Sequence, residues 1–360
     1  MRFPTRVDEL TPELLSEAIR SRTPDASVTD LTVVETFECD SGEASTCDRL
    51  VLDLEYAGDG ASALPRRAVL KTWLIQPHAV ADMFDAEVRF YDEIRPQVDI
   101  ETASVIGSGF DAETGQFGIL MEDLRERGAT FPDATTTRSL DEVHDLIDNL
   151  VRLHARWWEH PDLDGPLAWL PTPGGGGVNE TFKHLQGWNA AHMRNETWRR
   201  DVIAGTGETA EDLYAAMLQI QDQFETDAPR TVLHGDTHVG NTYVLPGGRC
   251  GLLDFQLTMR GPFTRDLTYY LITSLGTEER RIHERDLIAY YLDRLGAAGV
   301  VEVPSEDDAW LLHRKSTLWS LVIGWMACPE GNYGRDVTSS NLVRLVNAVN
   351  DLEGMALADL

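Results

Sequence analysis

The chain has 360 residues, of which 42% are hydrophobic and 25% charged, and its formal net charge is −29. This composition is typical of a globular protein, and the length suits two domains or lobes. No apolar run approaches the ~18 residues needed to span a bilayer, and the start of the chain has no apolar signal core, so we expect neither membrane spanning nor secretion. The acidity repels nucleic acid and anionic lipid, which excludes both as main partners.

Cysteine and lysine usage adds two expectations. The four cysteines form no C-x-x-C pair, so no zinc ribbon or disulfide framework is indicated and a reducing cytoplasm fits. Only Lys71, Lys183 and Lys315 are lysines, and the other 28 of the 31 basic residues are arginines. Carboxylate excess with scarce lysine favours a salt-adapted protein, whereas a GC-rich genome explains the lysine shortage but not the charge.

The first third of the chain predicts a small sheet with one main helix. Residues 1–27 are predicted as a helix, with Thr11-Pro12-Glu13 as its cap and first turn. A second helix is predicted over 79–94, ending before Pro96. Alternating and β-branched runs predict strands at 31–37, 50–56, 68–74, 104–110 and 116–121.

The rest of the chain has mainly helical spacing. Helices are predicted at about 140–158, 179–199, 208–225, 265–274, 280–295, 306–327 and 338–353. Short strands are predicted at 231–233, 242–245 and 251–253. We therefore predict a sheet-containing lobe over 1–121, a hinge over 122–126, and a larger helical lobe over 127–360. A cleft is expected at the hinge.

Polar residues concentrate after the strand predicted at 231–233. The segment His234-Gly235-Asp236-Thr237-His238-Val239-Gly240-Asn241 leads into a hairpin, which turns at Pro246-Gly247-Gly248 and ends at Asp254. A carboxylate on a loop, with an Asn and an Asp on flanking strands, is what phosphate transfer from a magnesium nucleotide requires. One carboxylate orients and deprotonates a hydroxyl, while the other two oxygen ligands hold Mg²⁺.

These residues resemble those of a known enzyme family. His234-Gly235-Asp236-x-His238-x-x-Asn241 with Asp254-Phe255-Gln256 looks like the small-molecule kinases of the protein-kinase-like fold: the aminoglycoside phosphotransferase, choline kinase and ecdysteroid-kinase-like group. The Asp-Phe-Gln form and Glu122-Asp123-Leu124 favour the ecdysteroid-kinase-like branch. The resemblance covers about residues 30–330. It implies an α+β fold, in which an antiparallel N-terminal sheet with one main helix precedes a larger, mostly helical lobe.

The resemblance also implies a reaction and roles for the C-terminal residues. The donor is ATP, with GTP not excluded, the metal is Mg²⁺, and the acceptor is a small-molecule alcohol. Asp236 matches the catalytic base, and Asn241 and Asp254 match the metal ligands. His234 and Asp266 match residues that support the catalytic loop.

In the N-terminal lobe, the resemblance assigns the nucleotide-binding residues. Lys71 matches the lysine that contacts the α- and β-phosphates, and Glu87 matches the helix glutamate that pairs with it. The expected phosphate loop at 39–46 has only one glycine, which departs from the family pattern, and Ser45 and Thr46 are its candidate contacts. Backbone groups near Glu122 and Leu124 are expected to bind adenine.

Several alternatives stay open on sequence grounds. His234, Asp236, His238 and Asp254 suit the metal site of a hydrolase, and a non-catalytic nucleotide-binding protein is a further alternative. Taken singly, Lys71 and Glu87 suit a surface ion pair and Asp266 a helix N-cap.

Two further expectations concern the substrate and the aromatic residues. Asp254 and Asp266 are only 12 residues apart, so a peptide-binding platform, and hence a protein substrate, is disfavoured. His154 is expected to be a hydrogen-bonded core histidine. The tryptophans beyond residue 150 are expected to pack the helical lobe, with an acceptor pocket as the alternative for some of them.

Overall fold

The computed structural model describes residues 3, 4, 6–38, 46–74 and 81–358. By its internal contacts the chain divides into two compact units. The first consists of Met1–Gln97 and Thr102–Thr130, and the second of Val98–Glu101 and Phe131–Leu360. The predicted lobe boundaries and the hinge over 122–126 stay a prediction. Among the described residues, no helix has the length and apolar character needed to cross a membrane.

The first unit is built on an antiparallel sheet. Its described helices are α1 (Pro12–Ile19) and α2 (Ala81–Arg89), and a π-helical turn over Phe90–Ile94 continues α2. Its described strands are β1 (Ala26–Phe37), β2 (Asp48–Gly58), β3 (Arg67–Thr72), β4 (Val105–Asp111) and β5 (Gln116–Glu122), in the spatial order β1-β2-β3-β5-β4. Alternate residues of β1, β2 and β3 pack with α1 in an apolar core that includes Leu15, Leu52 and Leu70. β3 therefore lies inside the sheet, between β2 and β5.

The predicted helix over 1–27 is wrong in length, although its cap is confirmed. Thr11 accepts a hydrogen bond from the backbone N–H of Leu14, and Pro12 is the first helical residue. Proline has no backbone N–H and is tolerated in the first turn only, so the helix cannot extend further back. Pro24 disfavours helical conformation at the residue before it, and the chain leaves the helix after Ile19.

The second unit is mostly helical. Its described helices are α3 (Leu140–Trp157), α4 (Gly177–Phe182), α5 (Gln186–Asn195), α6 (Thr197–Ile203), α7 (Ala210–Asp227), α8 (Thr264–Ser274), α9 (Thr277–Ala297), α10 (Glu306–Trp319) and α11 (Glu330–Asp351). Its described strands form two antiparallel pairs: β6 (Thr231–Leu233) with β9 (Met259–Gly261), and β7 (Thr242–Val244) with β8 (Cys250–Leu252).

Four departures from the predicted helical unit are evident. The helix predicted over 179–199 is divided among α4, α5 and α6, and the helix predicted over 306–327 changes at Ser320 from α10 into a π-helical segment, Ser320–Met326. α11 begins earlier than predicted and contains a break at Gly334, where φ is +74°. β9 has only three residues, too few for a periodic signal, and the sequence did not predict it.

Candidate active site

The segment from His234 to Asn241 leaves the end of β6 through a turn that requires glycine. Gly235 has φ +86°, and a Cβ atom there would lie 1.9 Å from the backbone oxygen of Leu257. Any other residue at position 235 would therefore be strained by the left-handed conformation, and its side chain would collide with the backbone. This requirement explains glycine between His234 and Asp236.

Asp266 holds this turn from the first turn of α8. Its two carboxylate oxygens accept hydrogen bonds from the backbone N–H groups of His234 at 2.7 Å and Gly235 at 2.8 Å. The N-cap alternative for Asp266 is wrong, because the residue lies inside α8 and these acceptors face the loop. Burial raises the pKa of Asp266, but hydrogen bonds from His154 and Gly235 and nearby imidazoles outweigh burial and lower it below 3.8. Asp266 is therefore held as a carboxylate.

Further residues secure the same loop, and the sequence did not assign them to it. His154 is buried, and its ring contacts Asp266 at 3.1 Å and the Tyr291 hydroxyl at 2.8 Å, which confirms the core histidine prediction. The Thr237 hydroxyl donates to the backbone oxygen of Asp266 at 2.6 Å, and Nε of the buried Arg265 donates to that of Gly235 at 3.1 Å. Arg265 and Thr237 each adjoin a motif residue, and this proximity was the only available signal.

Asp236 and Asn241 are joined directly. The Asn241 side-chain nitrogen donates to the Asp236 backbone oxygen at 2.8 Å and to Asp236 Oδ2 at 3.0 Å. Since both partners can only accept, the amide nitrogen faces Asp236 and the amide oxygen of Asn241 is turned away. The Asp236 side chain is 23% exposed, and burial is the main cause that raises its pKa to about 6.

The hairpin predicted after Asn241 is confirmed, and it brings Asp254 back to the loop. β7 and β8 pair antiparallel, and Gly247 and Gly248 in the turn have φ near +90°. Beyond β8, the backbone N–H of Leu253 donates to the carbonyl oxygen of Asn241 at 2.8 Å. Asp254 follows at once and adopts a left-handed conformation, with φ 63° and ψ 73°. Amide and carboxylate oxygens of this kind are ligands that suit Mg²⁺.

The alternative hydrolase site at His234, Asp236, His238 and Asp254 is not formed. His234 Nδ1 accepts from the Asp236 N–H, and Nε2 lies 2.6 Å from the Leu253 carbonyl oxygen. His238 Nδ1 accepts from the Gly240 N–H, so these imidazole nitrogens already have protein partners. Among the described residues, no group of three or more His, Cys, Asp or Glu is arranged to hold a metal ion. The metallohydrolase alternative is therefore not supported.

In the first unit, Lys71 and Glu87 meet as the sequence predicts. Lys71 Nζ on β3 lies 2.7 Å from Glu87 Oε2 on α2, and their side chains are only 9% and 1% exposed. The surface ion pair alternative is therefore wrong. The ammonium of Lys71 on the sheet is thus held by a carboxylate from the following helix.

The structure describes three of the four other residues that were predicted to contact the nucleotide. Ser45 lies outside the described residues, and so does most of the expected phosphate loop. Thr46 is exposed, and its carbonyl oxygen accepts from the Trp73 indole at 3.2 Å. Glu122 ends β5 and binds Arg127 at 3.2 Å. Leu124 is buried, and its carbonyl oxygen accepts from the Ala129 N–H at 3.1 Å.

A comparison with protein families identifies the class of enzyme. The model of the phosphotransferase enzyme family matches residues 53–302, which is more than half of the chain. The chain belongs to this phosphotransferase family. The matched residues include Lys71, the loop from His234 to Asn241, Asp254 and Asp266. The prediction of a phosphotransferase enzyme is thereby confirmed.

Solved structures support the fold assignment of this phosphotransferase. The chain is similar to the ethanolamine kinase of Plasmodium vivax, with a TM-score of 0.53 and 10% identity over 95% of this chain and 84% of that one. This similarity confirms the predicted protein-kinase-like α+β fold.

Two further solved structures are similar over most of both chains. The choline kinase LicA from Streptococcus pneumoniae has 14% identity over 96% of this chain and 98% of its own, with a TM-score of 0.48. Aminoglycoside 2'-phosphotransferase-IIIa, solved as its GDP complex, has 13% identity over 95% and 100%, with a TM-score of 0.47. No curated protein matches the sequence.

Proposed function

We propose that this phosphotransferase transfers the γ-phosphoryl group of ATP to a hydroxyl of a small molecule, with Asp236 as the base. The hydrogen bond from Asn241 to Asp236 is the observation that carries the proposal. It fixes one carboxylate of the loop while turning an amide oxygen away from it, so that a proton acceptor and a metal ligand lie side by side. Membership of the phosphotransferase family supports the same reaction.

In this reaction the acceptor hydroxyl gives its proton to the Asp236 carboxylate as its oxygen bonds to the γ-phosphorus. The bond between that phosphorus and the β–γ bridging oxygen breaks, and the nucleoside diphosphate leaves with the electron pair. The 23% exposure of Asp236 leaves it accessible to an acceptor. Its backbone is fixed because Asp266 and Arg265 hold the two residues that precede it. Preorganisation of this kind aligns a base without a cost at the moment of reaction.

We further propose that Asn241 and Asp254 hold Mg²⁺ and that Lys71, fixed by Glu87, contacts the α- and β-phosphates. The hard oxygen donors of Asn241 and Asp254 fit Mg²⁺, and the backbone bond from Leu253 to Asn241 keeps these donors on neighbouring chain segments. When bound, Mg²⁺ neutralises phosphate charge. Thr46, Ser45 and the segment from Glu122 to Leu124 remain proposed nucleotide contacts, and GTP is the alternative donor.

The proposed acceptor is a small molecule. Only nine residues separate the end of the segment Phe255–Gln256 from Asp266, and β9 and the start of α8 occupy most of them. This leaves no long segment to bind a peptide. Asp254-Phe255-Gln256 and Glu122-Asp123-Leu124 favour an ecdysteroid-kinase-like member, and we propose the cytoplasm as its location.

The decisive experiment is a calorimetric titration with Mg-ATP and Mg-GTP, followed by a screen of alcohols for phosphorylated products. Asp236→Asn should abolish turnover and leave Mg-ATP affinity nearly intact, whereas Asp254→Ala should weaken Mg-ATP binding because a metal ligand is lost. Asp307→Asn, on the exposed first turn of α10, is the matched control and should change neither property. Binding of Mg-ATP without any product would instead indicate a non-catalytic nucleotide-binding protein.

A further inference from the structure

The second unit contains a cavity that is lined by none of the residues proposed for phosphate transfer. It lies between α4, α7 and α10, opens to solvent and has about 290 Å³ of empty space, a size that suits a small molecule. Its apolar wall consists of Phe182 of α4, Met217 and Leu218 of α7, and Trp319 of α10. An apolar ligand would therefore find contacts on three helices.

Two buried amides line the same cavity. Gln221 of α7 is only 6% exposed, and its side chain has no hydrogen bond to any part of the chain that the structure describes. Asn179 of α4 is also 6% exposed, and its Nδ2 donates to the Thr172 carbonyl oxygen at 2.7 Å. Since a carbonyl can only accept, Oδ1 of Asn179 is turned away from this bond. Buried polar groups normally have partners, and water would satisfy the amides but not the apolar wall around them.

The charges at the cavity favour a cation. Lys183 Nζ lies 3.2 Å from Glu180 Oε2, so the positive charge at the cavity already has a counter-charge. Asp222 is exposed at the cavity and has no ion pair with another residue of the described ranges. The cavity therefore offers an unpaired carboxylate and the amide oxygens of Asn179 and Gln221. An ammonium has three N–H donors, which matches these acceptors.

We propose that this cavity binds an organic amine, whose ammonium contacts Asp222 and the two amide oxygens and whose apolar body packs against Phe182 and Trp319. The site goes beyond the proposed phosphate transfer, because it uses other residues and its occupation needs no nucleotide. An alcohol offers one donor and no charge, and a carboxylate would be repelled by Asp222. The ligand class is therefore a small primary amine with an apolar body.

The test is a calorimetric titration of the whole chain with three probes that carry a phenyl ring on a short chain: phenethylamine, 2-phenylethanol and 3-phenylpropionate. Phenethylamine should bind at one site, and 2-phenylethanol should bind at least about fivefold more weakly because it has no charge. The carboxylate should show no saturable binding. Equal or tighter binding of either other probe would overturn the amine class, and no saturable binding of any probe would overturn the site.

Two variants of α7 test whether the amine lies in the cavity. Gln221→Leu should raise the Kd for phenethylamine about tenfold, because a hydrogen bond to a charged group is lost. Asp222→Asn should raise it about threefold, since an exposed ion pair contributes less. The matched controls Gln219→Leu and Glu211→Gln make the same changes at exposed positions of α7 outside the cavity and should retain the wild-type Kd. Equal Kd values in the cavity variants and their controls would overturn the assignment.

A third variant separates this cavity from the proposed active site, which also contains carboxylates. Asp236→Asn should leave the Kd for phenethylamine unchanged. Loss of amine binding in this variant would place the probe at the catalytic loop and overturn the cavity as its site. Phenethylamine has no hydroxyl and the titration contains no nucleotide, so a failure of the proposed phosphate transfer would not alter this result.

Discussion

Lys71 and Glu87 lie 16 residues apart in the chain and form an ion pair of 2.7 Å that is almost entirely buried. Burial costs each charge its hydration, so the pair is tolerated only while both partners are present. The chain otherwise uses arginine for 28 of its 31 basic residues. A compact ammonium at this position therefore reflects a local requirement that a planar guanidinium does not meet.

We expect Glu87→Gln to lower the free energy of unfolding by about 3 kcal/mol, because it removes the negative charge that lies 2.7 Å from the buried Lys71 ammonium. Urea unfolding followed by circular dichroism measures this loss. Glu180→Gln breaks the more exposed pair with Lys183, whose atoms are 3.2 Å apart, and should cost less than about 1 kcal/mol. Equal losses in the two variants would show that burial of the Lys71 pair contributes nothing.

The turn at Gly235 can be tested with a glycine that shares its backbone conformation. Gly207 has φ +78° and no heavy atom near a Cβ position, so Gly207→Ala should cost only the left-handed conformation, about 1–2 kcal/mol. Gly235→Ala adds the collision with the Leu257 oxygen and should lose about 1–3 kcal/mol more. Thermal unfolding measures both. Similar losses would mean that the loop moves aside without cost.

Stability should depend on pH through His313, which is fully buried on α10. Burial lowers the pKa of His313, although Glu284 at 3.5 Å raises it; the neighbouring Arg280 and Arg285 lower it further. Below about pH 6.5 the imidazole of His313 therefore binds a proton in the unfolded chain but stays neutral in the folded chain. The free energy of unfolding consequently falls as the pH falls.

The variant His313→Gln isolates this contribution, since every other titratable group is retained. Between about pH 8 and 7 the two proteins should differ by a constant amount, because the imidazole is then mostly neutral in both states. From about pH 6.5 to 5 the wild type should lose more free energy of unfolding than the variant. Parallel curves in urea titrations across this range would contradict the lowered pKa.

The net charge of −29 predicts that salt stabilises the fold. At about 0.01 M ionic strength the Debye length is about 30 Å and repulsion sums across the molecule, whereas at about 1 M it falls to about 3 Å. We expect Tm to rise between about 0.1 M and about 2 M KCl. A constant Tm would mean that the acidity is no adaptation to salt and would leave codon usage to explain the scarcity of lysine.

Local patterns were sufficient to predict much of the fold and several contacts of the site. Alternation of apolar residues predicted the strands of the sheet, and the spacing of Lys71 and Glu87 over one strand and one helix allowed their pairing. Asp236 and Asn241 are five residues apart, so a short loop was enough to bring them together.

Contacts between distant segments were not predictable in the same way. Tyr333 meets His238 across 95 residues, and that contact depends on a π-helical segment and a broken helix that have no periodic signature. The helix predicted over 306–327 illustrates the reason, since the apolar spacing of residues 320–326 does not distinguish α from π geometry. Tertiary packing decides between them.

The short segment Val98–Glu101 belongs to the second unit although both of its flanks belong to the first. Glu101 contacts Asn149 through its backbone and accepts from the Tyr243 hydroxyl and the Leu252 N–H. A fragment beginning at Phe131 would therefore lack a partner for both strands of the β7–β8 hairpin. During synthesis, Glu101 must wait until residue 252 has left the ribosome, so the second unit is completed only after both segments have been made.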